Sequence, residues 1–88
     1  MANRNPNIIN SGLSRTVTGG GITVRVEIYR LDDRPGWTLE VINEKGTSTV
    51  WDDPFATDDA ADAEFRETVA TNGMRTFLDS ATVIPFRR

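Results

Sequence analysis

The 88-residue chain contains no cysteine and no histidine. These absences exclude disulfide bonds, thiolate nucleophiles, thiolate or imidazole metal ligands, and the side chain that most often serves as a general base near neutral pH. Apolar residues never run longer than two in a row, as at Ile8-Ile9 and Val83-Ile84, and the first residues lack the apolar run of a signal peptide. We therefore expect a cytoplasmic protein that uses no cofactor or metal and does not associate with a membrane.

Lysine is almost absent, since arginine supplies nine of the ten basic residues. The net charge is −3, but basic residues prevail in residues 1–31 and acidic residues in residues 32–79. Such a division disfavours binding along a phosphate backbone, because counterion release needs a continuous positive surface. The sequence favours a protein partner over a nucleic acid.

The length is below that of a typical domain, while a hydrophobic content of 38% is enough for a small core. We predict a single folded domain over residues 13–79. Residues 1–12 and 80–88 are expected to be flexible terminal segments, because they combine asparagine, proline and terminal arginine residues without a clear period.

Three consecutive glycines, at 19–21, separate two segments of β character, at residues 14–18 and 22–30. Glycine allows the positive φ angles of a tight reversal, so this pattern predicts a β-hairpin. Strict alternation over residues 22–28 predicts that Val24, Val26 and their even-numbered neighbours point into the core. The other side of this strand is expected to face solvent.

Two more strands are predicted over residues 37–42 and 47–51, joined by a turn at residues 43–46. Leu39 and Val41 are assigned to the core by the same alternation. Val50 and Trp51 compete for the core side of the last strand. We expect Val50 to point inward and Trp51 to lie partly covered at the rim of the sheet.

After residue 55 the period changes to that of a helix. Thr57 has the position of an N-cap, acidic residues fill the first turn, and Phe65 and Val69 recur on the apolar face at a spacing of four. Gly73 predicts the end of the helix, and a short turn after it should pack Phe77 and Leu78 on the core. The fold class is therefore α+β, with an antiparallel three- or four-stranded meander and one α-helix packed on one face. We expect Val24, Val26, Leu39, Val41, Phe65 and Val69 to share one core.

Seven acidic residues lie between residues 52 and 67. The spacing of a calcium-binding loop is absent, and the simplest interpretation places Asp62, Glu64 and Glu67 on the solvent side of the helix. The alternative is an acidic surface, formed by Asp58, Asp62 and Glu67, that binds a basic partner.

The uncovered side of the sheet offers a second candidate surface, with Arg25, Tyr29 and either Trp51 or Ile42. Arginine and aromatic residues on an open sheet are typical of platforms that stack single-stranded nucleic acid. The simpler interpretation pairs Arg25 with Glu40 and packs Tyr29 on Ile42 across strands. Burial of this side against a second copy of the chain is a third possibility.

In its order of elements the chain resembles HicB-type antitoxins. The resemblance depends on the run from Asp33 to Val41 (DRPGWTLEV), a glycine-aromatic strand, followed by the run from Phe55 to Ala61 (FATDDAA), a threonine-capped helix. It implies an interaction module that blocks a toxin. The strand and helix order is also similar to a single repeat of the purine-rich-element-binding family.

A small sheet with one helix offers little concavity for paired carboxylates, so we do not expect an enzyme. The function predicted from the sequence is a non-enzymatic interaction or regulatory module. It would bind another protein, or a second copy, through its acidic helix or its open sheet face. The alternatives are a single-stranded nucleic-acid-binding domain and an antitoxin-type module.

Overall fold

The computed structural model describes residues 7–78 and 82–84. It confirms the α+β class, with one α-helix packed against an antiparallel sheet. In chain order the elements of the described residues are β1 (Ile8–Asn10), β2 (Arg15–Gly19), β3 (Ile22–Leu31), β4 (Thr38–Asn43), β5 (Ser48–Trp51), α1 (Asp58–Asn72), a 3₁₀ turn (Met74–Phe77) and β6 (Thr82–Ile84). In the part of the chain that the structure describes, no helix is both long and apolar enough to cross a membrane.

The long strand β3 is the centre of the sheet. β1 and β2 both pair antiparallel with one side of β3, and β4 pairs antiparallel with its other side. β5 follows β4 in the meander, and β6 adds to β5 in a parallel direction. The predicted meander corresponds to β2 to β5. The short β1 and β6 lie within the segments assigned to the termini. They were not predicted, because three residues are too few to show a period.

The glycine run forms the predicted hairpin between β2 and β3. Gly19 pairs with Ile22, so that Gly20 and Gly21 make a two-residue loop with φ angles of +58° and +80°. Two successive positive φ angles are the requirement of the turn type whose twist matches that of paired strands. Gly19, the first glycine of the run, is therefore the last residue of β2.

The second hairpin turn is held by a buried side chain. The Asn43 carboxamide oxygen accepts hydrogen bonds from the backbone N–H groups of Lys45 (2.9 Å) and Thr47 (3.0 Å). The Asn43 amide nitrogen donates to the carbonyl of Phe77 at 2.8 Å. One side chain thus fixes the turn and ties it to the segment after the helix.

The core lies between the sheet and α1. Of the six core residues predicted, five are buried, and Val69 is a partly buried residue packed against them. The expectation that Leu78 packs on the core is wrong, since Leu78 is 54% exposed. Phe77 takes the buried position and stacks on Phe65 with 5.9 Å between ring centroids.

The predicted orientation of β5 is also wrong, because Trp51 and not Val50 faces the core. Thr49 pairs with the fully buried Val41, and alternation then places Trp51 on the same side. Trp51 is 2% exposed, and its Nε1 donates to Glu64 Oε2 at 3.1 Å. The indole N–H finds its acceptor on α1, which is what allows this large ring to be buried.

The boundaries of α1 follow the predicted capping. Thr57 Oγ1 accepts from the N–H of Ala60 at 3.0 Å, and Asp58 and Asp59 occupy the first turn. At the other end, Gly73 has a φ angle of +79° and donates its N–H to the carbonyl of Val69. The helix is thereby held at both ends by local hydrogen bonds.

Candidate docking surface on the open sheet face

The sheet has one face turned away from α1, which we call the open face. Because side chains alternate along a strand and Val24, Val26 and Ile28 point toward α1, Arg25, Glu27 and Tyr29 point to the open face. From β4, the open face receives Thr38, Glu40 and Ile42, since their neighbours Leu39 and Val41 are buried. The open face therefore carries charges of both signs beside an aromatic ring.

Hydrogen bonds hold these side chains in place. Arg25 Nε donates to Glu27 in an ion pair within β3. Glu40 accepts two hydroxyl hydrogen bonds, from Tyr29 at 3.1 Å and from Ser48 at 2.7 Å. The open face thus presents an ordered polar network made of Arg25, Glu27, Tyr29, Glu40 and Ser48, which we call the face network.

The register corrects the pairs that the sequence suggested. Arg25 lies opposite Ile42, Tyr29 lies opposite Thr38, and Glu27 lies opposite Glu40. The predicted pairing of Arg25 with Glu40 and the packing of Tyr29 on Ile42 are therefore wrong as direct cross-strand pairs. Two carboxylates face each other instead, an arrangement that costs free energy unless donors or cations compensate it.

The surroundings of Tyr29 in the face network change the pKa of its hydroxyl group. Burial raises the pKa of Tyr29 to about 12, with further upward contributions from the negative charge and the hydrogen bond of Glu40 and from the charge of Glu27. Near neutral pH the hydroxyl is therefore protonated and available as a donor to Glu40. The ring of Tyr29 is held at one place on the face.

A cavity of about 530 Å³ adjoins Tyr29 where β3, β4 and β5 approach the β3–β4 turn. Its lining residues include Tyr29, Leu31 and Thr38 from the strands. Pro35 and Pro54 add apolar surface from the two loops at the rim. The open face is therefore concave at this end and polar farther along β3.

The two loops at the rim are joined to each other. A Cβ atom added at Gly36 would lie 2.5 Å from the Cβ of Pro54, so this close approach requires glycine. Next along the chain, Trp37 and Phe55 exchange two backbone hydrogen bonds of 2.8 Å each. Arg30 stacks over the Trp37 ring, with its Cζ 5.4 Å from the ring centroid. The cavity wall is thus preformed.

The three residues predicted to form an acidic surface on the helix, Asp58, Asp62 and Glu67, differ in their exposure and in their partners. Asp62 is only 8% exposed and accepts hydrogen bonds from Arg15 at 2.7 Å and from Arg66 at 3.0 Å. The expectation that Asp62 lines the solvent side is therefore wrong. Asp58 accepts from Ser11 at 2.7 Å, while Glu67 is exposed.

The charge of Asp62 is stabilised by its partners. Burial opposes ionisation, but the hydrogen bonds and positive charges of Arg15 and Arg66 outweigh it and lower the pKa of Asp62. Arg15 also lies over the ring of Phe65, with its Cζ 5.7 Å from the ring centroid. This ion pair joins β2 to α1, and we assign Asp62 a structural role.

Of the residues predicted for partner binding, the structure brings Arg25 and Tyr29 together on the open face. Trp51 lies on the core side of β5 and not on the open face, but it lines the same cavity as Tyr29. Glu40 and Ser48 complete the surface, although the sequence pattern predicted a binding role for neither residue. In the described ranges, 7–78 and 82–84, no three acidic, histidine or cysteine side chains come together as a group that could hold a metal ion.

Comparison of the chain with protein-family models, with curated proteins and with solved structures finds no match. The resemblance to HicB-type antitoxins therefore stays a hypothesis based on the order of sequence features.

Proposed function

We propose that the protein is a non-enzymatic interaction module of the cytoplasm that binds another protein through its open face. The observation that carries the proposal is the face network beside a preformed apolar cavity. Ordered polar groups next to an apolar depression are what a specific protein interface needs, because its partner gains both buried apolar area and defined hydrogen bonds.

The charges of the face network favour a protein partner over a nucleic acid. Each residue that would serve a nucleic acid is bonded to a carboxylate, since Arg25 binds Glu27 and Tyr29 binds Glu40. A phosphate that approaches Arg25 would also approach these two carboxylates. Stacking on Tyr29 would bring a phosphate backbone into the same negative field.

The hydrogen-bond partners of the two candidate surfaces also favour the open face over the helix as the binding surface. Asp62, the central residue of the predicted acidic surface, is buried and saturated by two arginines. Asp58 has a partner in Ser11. A basic partner of the helix would have to compete with the arginines that already bind Asp62, whereas on the open face the two hydrogen bonds to Glu40 come from the neutral hydroxyls of Tyr29 and Ser48.

A photo-crosslinking residue placed on each surface tests the proposal. We would replace Ile42 on the open face and, as the matched control, the exposed Ala63 on α1, and irradiate each variant in cells of the source organism. The expected result is one reproducible protein adduct from position 42 and none from position 63. An adduct only from position 63 would move the interface to the helix.

Nucleic-acid binding is tested separately with single-stranded oligonucleotides at low salt. We expect no retention. Tight binding that falls steeply as salt rises, and that is lost in folded Arg25→Ala or Tyr29→Ala variants, would replace the proposal with the nucleic-acid alternative.

A second copy of the chain is the other protein that fits the open face, because the face carries both Arg25 and the Glu27–Glu40 pair. Under two-fold symmetry each arginine could meet the carboxylates of the other copy. Such a dimer would sediment as twice the chain mass at micromolar concentration and would dissociate in a Tyr29→Glu variant. A monomer over that range would remove this alternative.

A further inference from the structure

We infer that the partner presents an extended segment in which a large apolar side chain and a basic side chain lie two residues apart, the first entering the cavity and the second meeting Glu27 and Glu40. This inference depends on the proposed function and names the chemistry of its partner. It combines two independent features of the open face, a preformed cavity and an unbalanced charge.

The size and lining of the cavity favour a large apolar side chain of the partner. Its volume of about 530 Å³ falls in the usual range for ligand-binding pockets and exceeds what an aromatic side chain needs. Leu31, Pro35 and Pro54 line it with apolar surface, beside the charged residues Arg30, Arg34 and Asp52. The close contact of Gly36 with Pro54 keeps its rim in place. A partner would therefore bury an anchor residue there without first having to open the site.

The net charge of the face network favours a basic side chain of the partner. Arg25 balances one carboxylate, but the two donors to Glu40 are the neutral hydroxyls of Tyr29 and Ser48. With Glu27 directly opposite Glu40, the network carries one negative charge in excess. An arginine or lysine of the partner would compensate it, and arginine could bind both carboxylates through its planar group.

The spacing follows from the strand geometry. Tyr29 lines the cavity and Glu27 lies two residues before it in β3, a separation of about 6.6 Å along the strand. Side chains two residues apart on an extended partner point the same way at the same spacing. The anchor and the basic residue therefore occupy positions i and i+2, or i and i−2, of the partner segment.

A peptide library displayed on phage and selected on the full chain tests this inference. We expect enriched sequences in which Phe, Trp, Leu or Met stands two residues from Arg or Lys, between residues of high β propensity. Synthetic peptides that carry the enriched sequence then allow each element to be removed from the ligand, so that the fold of the protein is not perturbed. Replacing the apolar residue with Ser should weaken binding about tenfold or more, and replacing the basic residue with Gln about 3- to 10-fold.

Variants of the protein provide the reciprocal test. The double variant Glu27→Gln/Glu40→Gln should lose the preference for a basic residue and bind the Gln-containing peptide as well as the original. Glu67→Gln is the matched control, because Glu67 is an exposed glutamate on α1. It should leave both affinities unchanged.

The outcomes separate this inference from the proposed function. Selected peptides that bind the open face, as shown by lost binding in Tyr29→Ala, but that carry no apolar–basic pair would overturn the inference and leave the function standing. Enriched peptides indifferent to every open-face substitution, or no enrichment at all, would contradict both. Recovery of dimers of the chain at selection concentrations, with the open face occupied, would identify a second copy as the occupant and overturn the inference.

Discussion

Asp62→Asn removes the charge that joins β2 to α1 while preserving the shape of the side chain. Asp62 is 8% exposed and accepts from Arg15 at 2.7 Å and from Arg66 at 3.0 Å. A hydrogen bond to a charged group is worth about 1.5–3 kcal/mol, and an exposed i,i+4 pair about 0.3–0.5 kcal/mol. Because the Asn oxygen still accepts one bond, we expect the free energy of unfolding to fall by about 2 kcal/mol.

Urea denaturation and thermal melting at neutral pH measure this loss. For a domain of this size about 2 kcal/mol corresponds to a decrease in Tm of roughly 8–16 °C. Glu67→Gln on the exposed side of α1 is the control and should change the free energy of unfolding by less than about 0.5 kcal/mol.

The difference between wild type and Asp62→Asn should also depend on pH. The pKa of Asp62 is lowered in the folded protein, so its contribution is fully present above the unfolded pKa of about 3.9 and is lost as pH falls through the folded pKa. We expect the difference in unfolding free energy to be constant near neutral pH and to shrink below about pH 4. A difference under about 0.5 kcal/mol at neutral pH, or one that does not change with acidification, would refute the assignment of Asp62 as a buried ionic link.

Three further predictions concern the face network, the sheet orientation and the first hairpin. In a spectrophotometric titration of the single tyrosine, wild-type Tyr29 should ionise at about pH 12, and Glu40→Gln should lower that pKa toward the ordinary value of about 10. Trp51→Ala should lower the free energy of unfolding by about 3–5 kcal/mol and Val50→Ala by less than about 1 kcal/mol, as measured by urea denaturation. Gly20→Ala should cost about 1 kcal/mol in the same assay, because an alanine at φ +58° is strained.

Each of these predictions has a clear contrary result. A tyrosine pKa near 10 in the wild type would mean that Tyr29 is neither buried nor held against Glu40 as in the structure. Equal costs at positions 50 and 51 would mean that the register of β5 is different. Gly12→Ala is the matched control for the hairpin, since an added Cβ there meets nothing within 4 Å; a cost equal to that of Gly20→Ala would remove the turn argument.

The parts of the fold that the sequence predicts are those with a strong local signal. Alternation in β3 identifies Val24, Val26 and Ile28 as core residues because one face of the strand is buried and the other is wet. Thr57 and Gly73 mark the ends of α1 because each satisfies backbone groups within its own helix turn. These signals need no knowledge of the rest of the chain.

The predictions that proved wrong depend on contacts between residues that are far apart in the sequence. Val50 and Trp51 cannot be distinguished by local pattern, and the choice is made by the pairing of Thr49 with Val41 and by the acceptor that Glu64 offers. Asp62 lies on the sheet side of the helix, where it pairs with Arg15 of β2, a residue 47 positions away in the sequence. An acidic residue is therefore buried where the helical pattern alone predicts solvent.

The candidate site was predicted in part. Arg25 and Tyr29 follow from alternation in a single strand, so their common side was predictable. The pairing of Glu27 with Glu40 depends on the register between β3 and β4. The cavity depends on the contact of Gly36 with Pro54, which joins two loops that no sequence period connects.

On the open face, the proposed role of the Glu27–Glu40 pair is to select the charge of a bound partner. The most direct test replaces Glu40 with Arg and measures the affinities for two peptides that differ only in Arg or Glu at the position two residues from the apolar anchor. After circular dichroism has shown that the variant is folded, we expect wild type to prefer the Arg peptide and Glu40→Arg to prefer the Glu peptide. The same preference in both proteins would contradict the claim.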